Sequence, residues 1–329
     1  MNTSEQLTTE EWIGRLEKIF GHQDRLQQYM AEEKQCGVVI ANKYRGYHLL
    51  TDSFLDFYIE TLQIAHSQIQ NYQIHQKRSN YMIIFLFFVT ILKSLRAAEN
   101  IYAAGYPLDG YALLRDLKDR AIFIAAIISN VSSFSALYGY RNFVQRGETI
   151  TPENYKSLIK ERKKEEKRVF DRMLWKNSCI EEKYRKEIEK WENLFHEEVH
   201  GSRLTFFYEG VNYLANKKSI PIAPKHTERS AALYMNRMNE VSWMVLRCLP
   251  FLQLKPRSFG ESWDKKWEIL DESFLILEKE LSKMGKSIAD VIIYLINAIF
   301  NMTPDTYYID RDSGIGANPN NGQNEAPDF

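Results

Sequence analysis

Almost every long segment of this chain repeats its apolar residues at a spacing of three or four, and that period suits one kind of backbone. Side chains at i, i+3, i+4 and i+7 share a face of an α-helix, whereas a half-buried strand needs strict alternation. Alternating runs bounded by turn residues are scarce here. The pattern predicts an all-α protein, a multi-helix bundle.

The helix boundaries follow from capping and breaking residues. Thr8-Thr9-Glu10-Glu11 ahead of Trp12, Leu16 and Ile19 reads as a capped start, with the helix running to about Lys34. Cys36 to Tyr47 is the segment expected to be irregular or a weak strand. Leu50, Phe54, Phe57, Leu62 and Ile69 continue as a helix to near Tyr72. The apolar run Tyr81 to Leu92 extends to Ala104, where Gly105 stops it. Pro107 then suits the first turn of a helix whose core face carries Leu113, Leu114, Leu117, Ile124 and Ile128. Thr151-Pro152-Glu153 opens a charged arm. His226 to Leu249 and Gly260 to Met284 form two further helices, separated by Pro250, Pro256 and Gly260. From Thr303 periodicity is lost, and Gly, Asn, Pro and acids dominate, the composition of a disordered tail.

This gives an organisation in four parts: an N-terminal helical segment (1–48), a central helical domain (49–216) with a charged arm (151–190), C-terminal helices packed on it (217–302), and an acidic tail (303–329). The 329 residues suffice for a sizeable core. No 20–50-residue repeat is visible.

Global charge excludes little, because Lys+Arg and Asp+Glu both number 43. Any nucleic-acid preference must be local. Lys156 to Lys190 is the one place for it, with 13 basic and 8 acidic side chains, a net of +5. Residues four apart there share faces, as Glu161 does with Glu165 and Lys164 with Arg168, so a solvated helical arm is expected ahead of an RNA-contacting stripe. Stacking aromatics are not interleaved through it. The tail carries five acids and one Arg, and can fold back on the arm or keep the protein in solution.

Cys36, Cys179 and Cys248 are odd in number and far apart, which argues for a reducing compartment. The first residues lack the regions of a signal peptide, and the apolar run is closed by Lys93 and Arg96 short of bilayer length. A cytoplasmic protein without a membrane span is expected.

His196-Glu197-Glu198-Val199-His200 matches H-E-x-x-H, by which a helix presents two zinc ligands, here His196 and His200, with Glu197 as general base. Glu198 puts a charge where zinc peptidases usually carry an uncharged residue, and Gly201 ends the helix. No third ligand follows at the short metzincin spacing, and Glu209 is the nearest carboxylate downstream. The expectation is therefore no cofactor, with zinc as the alternative.

A second constellation lies at Arg115-Asp116-Leu117-Lys118-Asp119-Arg120, inside a helix otherwise made of Ala, Ile, Leu and Phe. Arg115 with Asp119, and Asp116 with Arg120, are i,i+4 and can pair within the helix, so an ionic seam is expected. The alternative is a catalytic role for Arg115 and Asp119. The tryptophans fall at helical spacing and are expected to anchor the core.

The Ala112-Leu-Leu-Arg115-x-x-x-acidic pattern after a glycine turn, followed by His-x-x-x-His-Gly-Ser at His196 to Ser202, resembles a family of uncharacterised bacterial helical proteins, a domain of unknown function. The likeness covers approximately Tyr81 to Ser202, and Asp119 stands where that family is expected to carry Glu. It implies that His200-Gly201-Ser202 is a helix-end element facing Arg115, and it implies no reaction. A more distant likeness is to HEPN domains, helical modules that include metal-independent ribonucleases. Their Arg followed four to six residues on by His is not matched: Arg45 and His48 are too close, Arg185 and His196 too far apart. Ribonuclease chemistry would need Arg115 or Arg203 to meet His196 or His200 across helices, imidazole moving the proton and guanidinium stabilising the phosphate.

The expectation is thus a bacterial helical interaction or effector module, in antiphage defence or stress response by fold analogy, acting with a protein partner or as a homo-oligomer. A HEPN-like ribonuclease and an HExxH zinc hydrolase are the alternatives.

Overall fold

The computed structural model describes residues 10–11, 13–14, 18, 24–71, 79–129, 131–133, 136–137, 151–177, 180–199, 228–254, 257–284 and 289–301; side chains of several of these, 194–199 included, are not described. Among the described residues there is no strand. The expected all-α bundle is what the chain forms, with helices α1 (Asp24–Lys43), α2 (Arg45–Asn71), α3 (Ser79–Ala103), α4 (Pro107–Ile128), α5 (Pro152–Phe170), α6 (Glu182–Val199), α7 (Glu228–Cys248), α8 (Glu261–Met284) and α9 (Ala289–Asn301). A π-helical turn, Asp171–Trp175, continues α5, and a 3-10 turn, Leu249–Leu252, continues α7.

The apolar period places α4 and α7 at the centre. Helix α4 packs against α3, α5, α6, α7 and α9, while α7 packs against α2, α4, α8 and α9. Leu114, Leu117 and Ile124 on α4 are buried as their spacing predicts, with Leu113 and Ile128 partly buried against the same core. Helix α7 is enclosed on every side: Tyr234, Met238, Val241, Trp243 and Leu246 are buried, and so are Arg237, Asn239, Glu240 and Ser242. Each fully buried large apolar side chain contributes about 1.5–3 kcal/mol, whereas each buried polar one requires a partner.

The α3–α4 corner is set by local chemistry. Gly105 takes φ 96°, its N–H donates to Tyr102 O, and the Tyr106 N–H reaches back to Ile101 O, a Schellman ending that only a residue without Cβ adopts freely. Pro107 then starts α4, where its missing N–H costs nothing.

The expectation for Cys36 to Tyr47 is overturned, because the segment is helical in α1 and the start of α2. Gly37-Val38-Val39-Ile40 has the composition of a strand, but Ile40 is buried in the bundle. A Cβ on Gly37 would sit 2.8 Å from Ala103 O, so the glycine lets α1 lie close against the end of α3. Tertiary packing overrides propensity here. The boundary expected at residue 48 falls inside α2, which continues through it unbroken.

The charged arm divides into α5, the π-turn and α6. It is docked on the bundle through Val169, Met173, Leu174, Ile180 and Ile188, all buried. Among the described residues, six of its thirteen basic side chains pair with acids of the same segment, including Arg162 with Glu166, Arg168 with Glu165, and Lys190 with Glu187. The Arg168 guanidinium holds the Glu165 carboxyl below its ordinary range, partial burial opposes it, and the Ser132 hydroxyl reinforces it. No helix among the described residues is long and apolar enough to cross a membrane. The tail, 303–329, lies outside the described residues.

Candidate functional site

Of the two pairs expected on α4, the structure shows Asp116 with Arg120, an exposed-edge pair rather than a buried one. Lys118 is buried, and Arg115 and Asp119 are half-buried with interactions of their own. Helix α6, which carries His196 and Glu197, packs on α4. The side chains of His196 and Glu197, and the whole of His200, Arg203 and Glu209, lie outside the described residues, so the H-E-x-x-H geometry does too. Among the described residues no group of three or more His, Cys, Asp or Glu is placed to hold a metal ion.

Two other polar constellations emerge. The first is inside the bundle, where α2, α3 and α7 meet. Glu99 on α3 is 4% exposed; its Oε2 accepts from the Tyr47 hydroxyl at 3.0 Å, and its Oε1 lies 3.3 Å from His48 Nδ1. Tyr102 and Tyr234 stack beside it with centroids 4.1 Å apart. Burial pushes the Tyr234 hydroxyl well above its ordinary range and the Glu99 carboxylate adds to the rise, although the two make no well-formed hydrogen bond. A Cβ on Gly110 would meet Tyr234 Cε2 at 2.8 Å, so the stack depends on a glycine of α4. Deeper in, Arg237 donates to the Tyr111 hydroxyl at 2.9 Å and to Glu240 at 3.2 Å, and Asn239 donates to Glu278 at 2.6 Å. A carboxylate–imidazole contact can move protons, but His48 Nε2 is sealed from solvent here. This cluster fixes which helix faces meet.

The second constellation opens to the surface. Where the 3-10 turn gives way to α8, a cleft of about 460 Å³ is walled by Pro250, Trp263 and Trp267. Both indole N–H groups are engaged behind the wall, Trp263 donating to Thr61 Oγ1 at 2.8 Å and Trp267 to Leu246 O at 3.0 Å. Trp243 and Trp263 are buried and Trp175 and Trp267 pack partly buried against the core, as expected of them, while Trp12 and the side chain of Trp191 lie outside the described residues; Trp263 and Trp267 also present surface to the cleft.

Five ionisable side chains line it: Arg257, Glu261, Asp264, Lys265 and Glu268. The last four share one stripe of α8, at i, i+3, i+4 and i+7. None of the five makes a side-chain ion pair or hydrogen bond among the described residues, in contrast to neighbouring Lys266, which pairs with Glu60 at 2.6 Å. Gln253, also lining the cleft, is 5% exposed, and its side-chain oxygen is buried without a partner.

Arg257 is the one non-glycine with positive φ, 53°, among the described residues. Its turn is held from both sides: the Gly260 N–H donates to Arg257 O at 3.1 Å, Gln68 Nε2 donates to Ser258 O at 2.9 Å, and Phe259 packs edge-on against Trp263. A side chain held in this region costs about 1–3 kcal/mol and persists only where surroundings impose it, a pattern found at ligand clamps.

Sequence reasoning saw Pro250, Pro256 and Gly260 as a separator between helices and nothing more. The available signal was the charged stripe at 261, 264, 265 and 268, interleaved with tryptophans at 263 and 267, directly after that break. No protein-family model, characterised protein or solved structure matches this chain.

Proposed function

We propose that this protein is a helical interaction or effector module that acts by binding, with the cleft at the start of α8 as its binding surface. One observation carries the reading: five ionisable side chains of both signs surround an indole-walled cleft without pairing among the described residues, beside a buried amide oxygen that lacks a partner among them. Unpaired charges and an unsatisfied buried amide are polar groups awaiting a complement. A cytoplasmic setting, a protein partner or second copy, and a role in antiphage defence or stress response belong to the same proposal.

A second reading, a HEPN-like ribonuclease, is supported by the packing of α6 on α4, the helices that carry His196 and Arg115. Zinc content and RNA degradation in EDTA separate the readings. The binding module is expected to hold no stoichiometric zinc, to leave RNA intact in EDTA, and to keep its metal content in His200→Ala. EDTA-resistant cleavage lost in Arg115→Ala supports the ribonuclease instead, and zinc lost in His200→Ala supports the hydrolase.

A further inference from the structure

We infer that the cleft at the start of α8 takes a short peptide with free ends, its ammonium on the acidic stripe of α8, its carboxylate at Arg257, and its amides against Gln253. The inference rests on the reading of the cleft as the binding surface and specifies the ligand.

The cleft's charge layout excludes a purely anionic or purely cationic occupant. Glu261, Asp264 and Glu268 stand on one helical stripe at i, i+3 and i+7, where like charges repel and a cation relieves them. Arg257, by contrast, lies on the turn before the helix, and its rigid fork matches a carboxylate. A ligand satisfying both ends carries both charges. Lys265, on the acidic stripe, moderates the local field without pairing among the described residues.

The middle of the cleft selects for amides. Gln253 carries a donor and an acceptor on a side chain 5% exposed, its oxygen buried behind the lining without a partner among the described residues, and a peptide group presents the acceptor and donor that an amide turned toward the cleft would meet. Pro250, Trp263 and Trp267 supply apolar wall for small side chains. A volume of about 460 Å³ lies within the roughly 300–1,000 Å³ of small-ligand sites. The left-handed backbone at Arg257, in a turn clamped by Gln68 and Gly260, fixes the point and direction from which the exposed side chain leaves the main chain.

The test is calorimetric titration of the full chain with the tripeptide Ala-Leu-Ala with free ends, its N-acetylated form, its C-amidated form, and AMP. The variants are Arg257→Asn, which keeps a residue tolerant of positive φ, and Asp264→Asn/Glu268→Gln. Saturable binding of the free tripeptide is expected, weakened about tenfold by blocking either end, one charge-assisted contact each. Arg257→Asn should abolish the discrimination against the amide alone, and the acid-to-amide variant the discrimination against the acetyl form alone. Binding that ignores both blocking groups, or variants that leave both discriminations intact, overturns the inference. AMP binding that is lost in Arg257→Asn, with no peptide binding, overturns the peptide assignment while the cleft reading stands. Absence of any binding at the cleft overturns both.

Discussion

Asn239 Nδ2 donates to Glu278 Oε2 at 2.6 Å between α7 and α8, and both residues are 1% exposed. Burial pushes the Glu278 carboxyl up to about 7, with the Asn239 hydrogen bond and the Arg237 charge pulling the other way. The folded state thus holds a proton here that the unfolded chain releases at its ordinary value of 4.5. Stability from this group is complete below about 4.5 and is lost as pH rises through about 7. Urea denaturation at pH 5 and 7.5 should show wild type losing on the order of 2 kcal/mol relative to Glu278→Gln, which keeps the shape and cannot ionise. Parallel pH profiles for the two proteins would show that the carboxyl titrates normally.

Arg237 and Glu240 form a pair at 3.2 Å with side chains 1% and 0% exposed. Arg237→Met strands a buried carboxylate and should cost about 3–5 kcal/mol. The double replacement Arg237→Met/Glu240→Leu removes both charges and should recover most of that loss. If the double variant is as unstable as the single one, the damage lies in packing rather than in the unpaired charge, and thermal melts of the three proteins decide it.

Glycine-to-alanine exchanges should differ in sign along the chain. At Gly110 the new methyl meets Tyr234 Cε2 at 2.8 Å and Ala98 O at 3.2 Å, so overpacking of about 1–3 kcal/mol outweighs the helix-propensity gain. At Gly46 nothing lies within 4 Å, and the same exchange in α2 should stabilise by about 0.5–1 kcal/mol. Chemical denaturation of the two variants beside wild type gives the comparison directly.

The ion pair of Arg247 with Asp271 predicts a further asymmetry. Asp271 accepts from Arg247 Nε at 2.7 Å, from Arg247 Nη2 at 2.9 Å and from Trp243 Nε1 at 2.6 Å, so its carboxylate satisfies the indole of a buried tryptophan as well as the guanidinium. Asp271→Ala should therefore destabilise more than Arg247→Ala, by about 1–3 kcal/mol, the cost of an orphaned buried donor. Equal losses would show that the indole bond contributes little.

Where apolar period and breaker residues agree, the fold was legible. Gly105 and Pro107 mark the α3–α4 corner, and Leu114, Leu117 and Ile124 mark the buried face of α4. Legibility failed where local composition and tertiary demand conflict. Gly37-Val38-Val39-Ile40 reads as strand until the close approach to Ala103 is known. Charged residues on a helix read as solvent-facing, so Glu99, Arg237, Glu240 and Glu278 gave no sign of being core: Glu99, Arg237 and Glu278 take partners from other helices tens of residues away, and the i,i+3 pair of Arg237 with Glu240 looks in sequence like any surface pair. The cleft was hidden for the same reason: Gln253, Arg257 and the α8 stripe are near in sequence, but it takes the packing of Trp263 on Thr61 and the clamp from Gln68 to make them walls of one space.

The central pairing of α4 with α7 sets the order of events during synthesis. Roughly 100 residues separate Ile128 from Glu228, so the contact closes a long loop whose entropy must be met before the contact gives anything back. Until α7 has left the ribosome, α4 and the α3 face against it expose Tyr102, Leu114 and their neighbours to water, so the nascent chain carries uncovered apolar surface while the roughly 100 intervening residues are made.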